Sequence, residues 1–187
     1  KNQQQLMVTI RCIAYNQEAY IRDCLEGFVM QKTNFRFEAI VHDDASTDGT
    51  AEIIKEYAEK YPDIIKPILE TENQYSKHDG SLGRIMDEHT HGKYVAYCEG
   101  DDYWIDSRKL QKQVDILDND SNIGLVYSKA EAFTVNGKTF FVGRKVLDVY
   151  DLVKDNNIPT VTVCLRKCIV KEYNEVVLTL DKNNEIS

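Results

Sequence analysis

Up to about residue 118 the chain alternates between β-prone runs and amphipathic helical runs, and this order limits the possible folds most sharply. The apolar run 6–14, LMVTIRCIA, reads as a buried first strand. Over 19–31, Ile21, Cys24, Leu25 and Phe28 recur at helical spacing. A second strand is expected over 35–41. A second helix is expected over 50–61, where Ile53, Ile54, Tyr57, Ala58 and Tyr61 form one stripe and Pro62 supplies the stop. Residues 63–69 read as a third strand, and Pro67 assigns it to an edge. A polar loop follows, then a shorter helix near 81–90, a strand over 93–98 and a helix over 107–117. Such a β-α-β-α order predicts an α/β fold with a mostly parallel sheet and helices on both faces.

The tail reads differently. IGLVYSKAEAFTV and KTFFVG flank Asn136-Gly137, a type I′ hairpin signal. Residues 158–166, IPTVTVCLR, read as one more strand. Antiparallel strands joined to the parallel sheet are therefore expected in the C-terminal part. The 187 residues suffice for one sizeable core and hardly for two, so a single domain over 1–187 is expected.

In open α/β sheets, ligands bind outside the carboxyl ends of the strands. Two acidic clusters fall at such ends. Asp43 and Asp44 follow the second strand, and Glu99, Asp101 and Asp102 follow the fourth. Asp48, Ser46 or Thr47 suits the start of the next helix, where a short polar side chain caps free N–H groups. Spacing excludes several alternatives for DDASTDGT. An EF-hand reading fails because the last loop position, which needs a bidentate Glu, is Lys55. A D-x-D-G-T phosphatase would need an Asp where Ser46 stands. After the first strand AYNQEAY replaces any glycine-rich dinucleotide or phosphate loop. Adjacent Asp101 and Asp102 suit a hard divalent cation, Mg²⁺ or Mn²⁺. That cation could bridge them to an anionic ligand.

A formal net charge of −8 argues against general nucleic-acid binding. No apolar run is long enough to span a membrane. Cys12, Cys24, Cys98, Cys164 and Cys168 are odd in number and irregular in spacing, which reads as free thiols in a reducing compartment. His89 and His91 read as surface histidines.

Taken together, these residues resemble a family-2 glycosyltransferase of the GT-A fold. The likeness runs from IAYNQEAYIRDCLEGFVMQ through IVHDDASTDGTAEII and GKYVAYCEGDDYW to LQKQVDIL, about residues 6–118, and is weaker in IPTVTVCLRK. It implies an inverting transfer from a nucleotide diphosphate sugar, with a UDP-sugar the expected donor. The expected acceptor is a glycan or lipid-linked sugar in surface polysaccharide synthesis, and the expected location is the cytoplasm or the cytoplasmic face of the membrane. By the same resemblance, Tyr15, Asn16 and Glu18 border the nucleoside, Asp44 meets the base and Asp43 supports it. EGDD stands at the DxD position, with Glu99 for the usual first Asp, Asp101 towards ribose or metal, and Asp102 as main metal ligand. Arg84 is a candidate for the nucleotide, and Trp104 either lines the sugar pocket or packs in the core.

The family's downstream carboxylate base has no marked counterpart here. Glu175 and Asp181 are carboxylates in an unmarked setting, so the base is expected beyond the chain end. On that expectation, 6–118 is the nucleotide-sugar half and 119–187 an incomplete, β-rich start of the acceptor half. Two alternatives accompany this reading. One is a fragment that binds donor without turnover. The other is a nucleotidyltransferase, which would want a basic or glycine-rich loop where AYNQEAY stands.

Overall fold

In a computed structural model the structure describes residues 5–134, 136–137, 139–143 and 158–170. The expected alternation is present. β1 (Leu6–Ala14), β2 (Arg36–Asp43), β3 (Ile65–Leu69) and β4 (Tyr94–Tyr97) are joined through α1 (Ile21–Val29), α2 (Thr50–Lys60) and α3 (Ser81–Glu88). α4 (Lys109–Asn119) follows β4. The first four strands are mutually parallel, with Ile10 opposite Ala39 on one side and Ala96 on the other. β8 (Cys164–Arg166) runs antiparallel beside β4, and β5 (Leu125–Val126) pairs antiparallel with β8. The six-stranded order is β3-β2-β1-β4-β8-β5, so β3 with Pro67 lies at an edge, where the missing N–H costs no ladder bond.

Strand periodicity builds the core. Val8, Ile10, Cys12 and Ala14 point alternately to one face of β1 and are fully buried. Ile21, Cys24, Leu25 and Phe28 bring α1 into the same cluster, and Leu110, Val114 and Leu117 bring α4. α2 ends where the Tyr61 N–H bonds back to the Tyr57 carbonyl, just before Pro62. Gly80, at φ 76°, makes the left-handed turn that starts α3.

Three details differ from the sequence reading. β2 runs two residues further than expected, so Asp43 ends the strand instead of opening the loop. Residues 158–166 are not one strand. Pro159 accepts the Thr162 N–H and hydroxyl, a 3₁₀ turn covers Thr160–Thr162, and only Cys164–Arg166 extends. The hairpin at Asn136-Gly137 exists, as β6 (Ala130–Phe133) and β7 (Thr139–Val142), but it forms a separate two-stranded sheet. Its connection is five residues, 134–138, since Phe133 pairs with Thr139. Gly137, at φ 72°, donates its N–H to the Thr134 carbonyl, which is not the closure of a two-residue type I′ turn centred on Asn136-Gly137.

Candidate functional site

The carboxyl ends of β1, β2 and β4 meet at one rim, and hydrogen bonds tie the loops there together. Asn16, left-handed at φ 52°, accepts the Thr47 N–H on its amide oxygen at 2.8 Å. Its own N–H donates to the Ser46 hydroxyl at 2.9 Å. The Glu18 carboxylate accepts the Gly49 N–H at 3.0 Å, and Asp48 accepts the Glu18 N–H at 3.1 Å. Asp48 also accepts the Thr50 N–H at 3.0 Å. Gly49 is the N-cap of α2, so Asp48 braces the helix start from one residue before it and does not cap it as expected. Partial burial works to raise the Asp48 pKa, but the Thr50 hydroxyl, the Thr50 N–H and the Glu18 N–H together hold it below the ordinary carboxylate value. Asn16 and Glu18 are thus used to join the β1–α1 loop to the β2–α2 loop. Tyr15 between these elements is exposed.

Asp43 and Asp44 part company. Asp43 is buried, and its Oδ2 accepts the Ser46 N–H at 3.1 Å. Its Oδ1 is buried without a hydrogen-bond partner among the described residues. Asp44 is 1% exposed; its Oδ1 accepts the Gln74 N–H at 2.6 Å and its Oδ2 the Tyr75 N–H at 3.0 Å. The Asp44 carboxylate therefore anchors the loop between β3 and α3. Gln74 and Tyr75 line a cavity of about 410 Å³ with Arg11, Ile13, Gly83 and Met86. Arg11 sits mostly buried there, its Nη1 on Asp87 at 2.7 Å. Arg84 lies outside this lining. It is exposed, donates to the Asp79 carbonyl at 2.7 Å and lies 3.9 Å from the Asp79 carboxylate.

Beside this cavity, β4 leads into the second acidic cluster. The Gly100 N–H donates to the Ile13 carbonyl at 3.0 Å and seats the loop on the end of β1. An added Cβ at Gly100 would lie 2.3 Å from Gln17 Oε1 and 3.0 Å from the Ala14 Cβ, so this close approach needs glycine. The Asp102 N–H closes a turn on the Glu99 carbonyl at 3.0 Å. Glu99, Asp101 and Asp102 each bring one carboxylate oxygen to within 4.8 Å of the others. Partial burial raises the Asp102 pKa above the ordinary value, and the negative Asp101 and Glu99 raise it further. Three converging carboxylate oxygens and no sulfur or imidazole fit a hard cation such as Mg²⁺ or Mn²⁺.

Trp104 belongs to the core. It packs edge-on against Phe28 at 5.1 Å between centroids, and its Nε1–H donates to the Val161 carbonyl at 2.9 Å. Cys12, Cys24, Cys98 and Cys164 are buried free thiols, and burial raises the pKa of Cys24 and Cys98. His89 and His91 are exposed. Glu175 and Asp181 lie outside the described residues. Arg11, Gln17, Gln74 and Tyr75 were not singled out from the sequence. Only the fold brings them to the rim, and no local spacing marks them.

Comparison with known proteins bears on this arrangement. Residues 9–168 match the model of a family described as Glycosyl transferase family 2. An uncharacterized protein of Mycobacterium tuberculosis is 49% identical over 113 residues, 59% of this chain and 31% of that protein. The UDP-Glc:alpha-D-GlcNAc-diphosphoundecaprenol beta-1,3-glucosyltransferase WfgD of Escherichia coli is 26% identical over 97% of this chain and 72% of its own length. Among solved structures, the mannosyltransferase PcManGT from Pyrobaculum calidifontis, in complex with GDP-Man and Mn²⁺, superposes with a TM-score of 0.63. It shares 20% identity and covers 89% of this chain and 46% of that one, a likeness of GT-A fold. The chain spans about a third of the length of the first curated relatives it matches.

Proposed function

Since the chain belongs to glycosyl transferase family 2, we propose that it forms the donor-binding part of an inverting enzyme that moves a sugar from a nucleotide diphosphate to an acceptor hydroxyl. The observation that carries this reading is the convergence of Glu99, Asp101 and Asp102 on the same rim as the 410 Å³ cavity. In that arrangement the cavity takes the nucleoside, and Asp44 positions Gln74 and Tyr75 at its wall. Tyr15, exposed after β1 and outside the cavity lining, would border the nucleoside, and Asp43 holds the turn at Ser46. Asp102, with Asp101 and Glu99, would hold Mg²⁺ or Mn²⁺, which supplies positive charge to the donor's diphosphate. A diphosphate brought near three carboxylates without such a charge meets repulsion of roughly 1 kcal/mol per pair at 4 Å in water, and more in a cleft.

The donor we favour is a UDP-sugar and the acceptor a lipid-linked or surface glycan, in line with the name of the relative WfgD. The proposed location is the cytoplasm, including the cytoplasmic face of the membrane. The buried free thiols Cys12, Cys24, Cys98 and Cys164 support it. Among the described residues no helix is long and apolar enough to cross a membrane.

The test is thermal stabilisation by UDP, GDP and dTDP, with and without Mn²⁺. The expected result is metal-dependent stabilisation by one nucleotide, reduced in Asp101→Asn and abolished in Asp102→Asn. Equal stabilisation of wild type and Asp102→Asn would overturn the metal assignment. A protein stabilised by no nucleotide would overturn the donor site.

A further inference from the structure

The β6–β7 hairpin turns aromatic rings towards solvent. Its register pairs Phe133 with Thr139 and Glu131 with Phe141. Side chains alternate along a strand, so Glu131, Phe133, Thr139 and Phe141 share one face. Phe133 is 60% exposed and Phe141 75%. The Phe133 ring lies nearly parallel to that of Tyr103, at 13° and 6.4 Å between centroids. Tyr103 is 44% exposed and directly follows Asp102. An aromatic surface therefore continues from the carboxylate cluster out onto the hairpin. Contiguous exposed rings of this kind mark binding surfaces.

We propose that Tyr103 and Phe133 form the acceptor subsite and take the terminal neutral hexopyranose that receives the transferred sugar. This rests on the transferase reading above. Three features select this occupant. The faces of aromatic rings are electronegative and attract the polarised C–H groups on one side of a pyranose. Glu131, exposed on the same face, can accept hydroxyl hydrogen bonds. The surface is continuous with the cluster proposed to hold the donor's diphosphate. Charge disfavours an anionic lipid surface, since the chain carries −8 overall and Glu131 sits among the rings. A two-fold dimer centred on this face would bury the Glu131 carboxylate of each copy among aromatic rings, with no cation among the strand residues of that face to pair it.

The experiment is saturation-transfer NMR on the full-length protein, loaded with Mg²⁺ and the nucleotide that stabilises it. The probes are the methyl glycosides of glucose, galactose, mannose and N-acetylglucosamine. At least one should show saturated ring C–H protons. Its affinity should fall roughly tenfold in Tyr103→Ala and in Phe133→Ala, and return in Tyr103→Phe and Phe133→Tyr. Phe141→Ala, a change at a more exposed ring, provides a milder variant whose loss should be smaller. Nucleotide stabilisation should persist in all of these. Unchanged glycoside signals in both alanine variants, or no signal with any glycoside while nucleotide binds, would overturn the subsite. So would line broadening by dodecylphosphocholine micelles, or a concentration-dependent dimer, that disappears in Phe133→Ala. A protein that binds no nucleotide would instead fail the transferase reading itself.

Discussion

The Asp44 carboxylate accepts the backbone N–H of Gln74 at 2.6 Å, joining the end of β2 to a loop thirty residues further along. Its other oxygen takes the N–H of Tyr75. Asp44→Ala would leave both N–H groups without these acceptors in a mostly buried setting. The expected loss is about 3 kcal/mol, read from urea denaturation. Asp44→Asn keeps one acceptor oxygen and should lose about half of that. Both variants should weaken nucleotide stabilisation, because Gln74 and Tyr75 line the cavity. A loss below about 1 kcal/mol in Asp44→Ala would show that the loop is held by other contacts.

Asp48 joins the start of α2 to the Glu18 N–H. Asp48→Ala should cost about 1 kcal/mol, typical of losing a part-buried hydrogen bond. Asp48→Asn and Asp48→Ser should recover most of it, since each keeps an acceptor at the same place. Thermal melts of the three variants check this, and equal melting of alanine and asparagine variants would contradict it.

Gly27 faces the backbone of Trp104. A Cβ there would stand 2.9 Å from the Trp104 nitrogen and 3.2 Å from its carbonyl oxygen. Within a helix, alanine should gain about 1 kcal/mol over glycine. Here the clash with backbone outweighs that gain, and Gly27→Ala should destabilise by about 2 kcal/mol. The displaced segment lies two residues from Asp102, so metal-dependent stabilisation should weaken too. Denaturation with and without Mn²⁺ reads both effects.

His42 is fully buried on β2, with Nε2 3.5 Å from a Glu70 oxygen. Burial lowers its pKa below the ordinary value, against the pull of Asp44 and Glu70. The unfolded chain takes up a proton as pH falls below about 6.5, while the folded protein resists it. The associated stability is present above that pH and is lost as pH falls towards the folded pKa. Between pH 7 and 5, wild-type melting temperature should fall more than that of His42→Leu. Parallel profiles would assign the acid sensitivity to other groups.

The parallel half of the sheet was legible because each strand and helix declares itself within its own dozen residues. Pro67 marked an edge for the same local reason. Contacts between distant segments were not legible. Nothing near Asp44 announces that Gln74 and Tyr75 will reach it, since the loop path after β3 decides that. Asn136-Gly137 suggests a two-residue turn, but the pairing of Phe133 with Thr139 demands a longer connection. In 158–166 the β-branched pattern was outweighed by Pro159, whose carbonyl turns the chain before it extends. Of the two readings for Trp104, packing is the one the structure shows, because Phe28 and the Val161 carbonyl enclose it.

The reciprocal bonds among Asn16, Ser46, Thr47, Glu18 and Gly49 make two loops a single inherited part. A graft of either loop alone from another transferase would arrive with half its fasteners missing. Chimeras aimed at a new donor should therefore exchange residues 15–20 and 44–50 as one cassette. Lone-loop chimeras should express poorly even where every transplanted residue suits the new sugar.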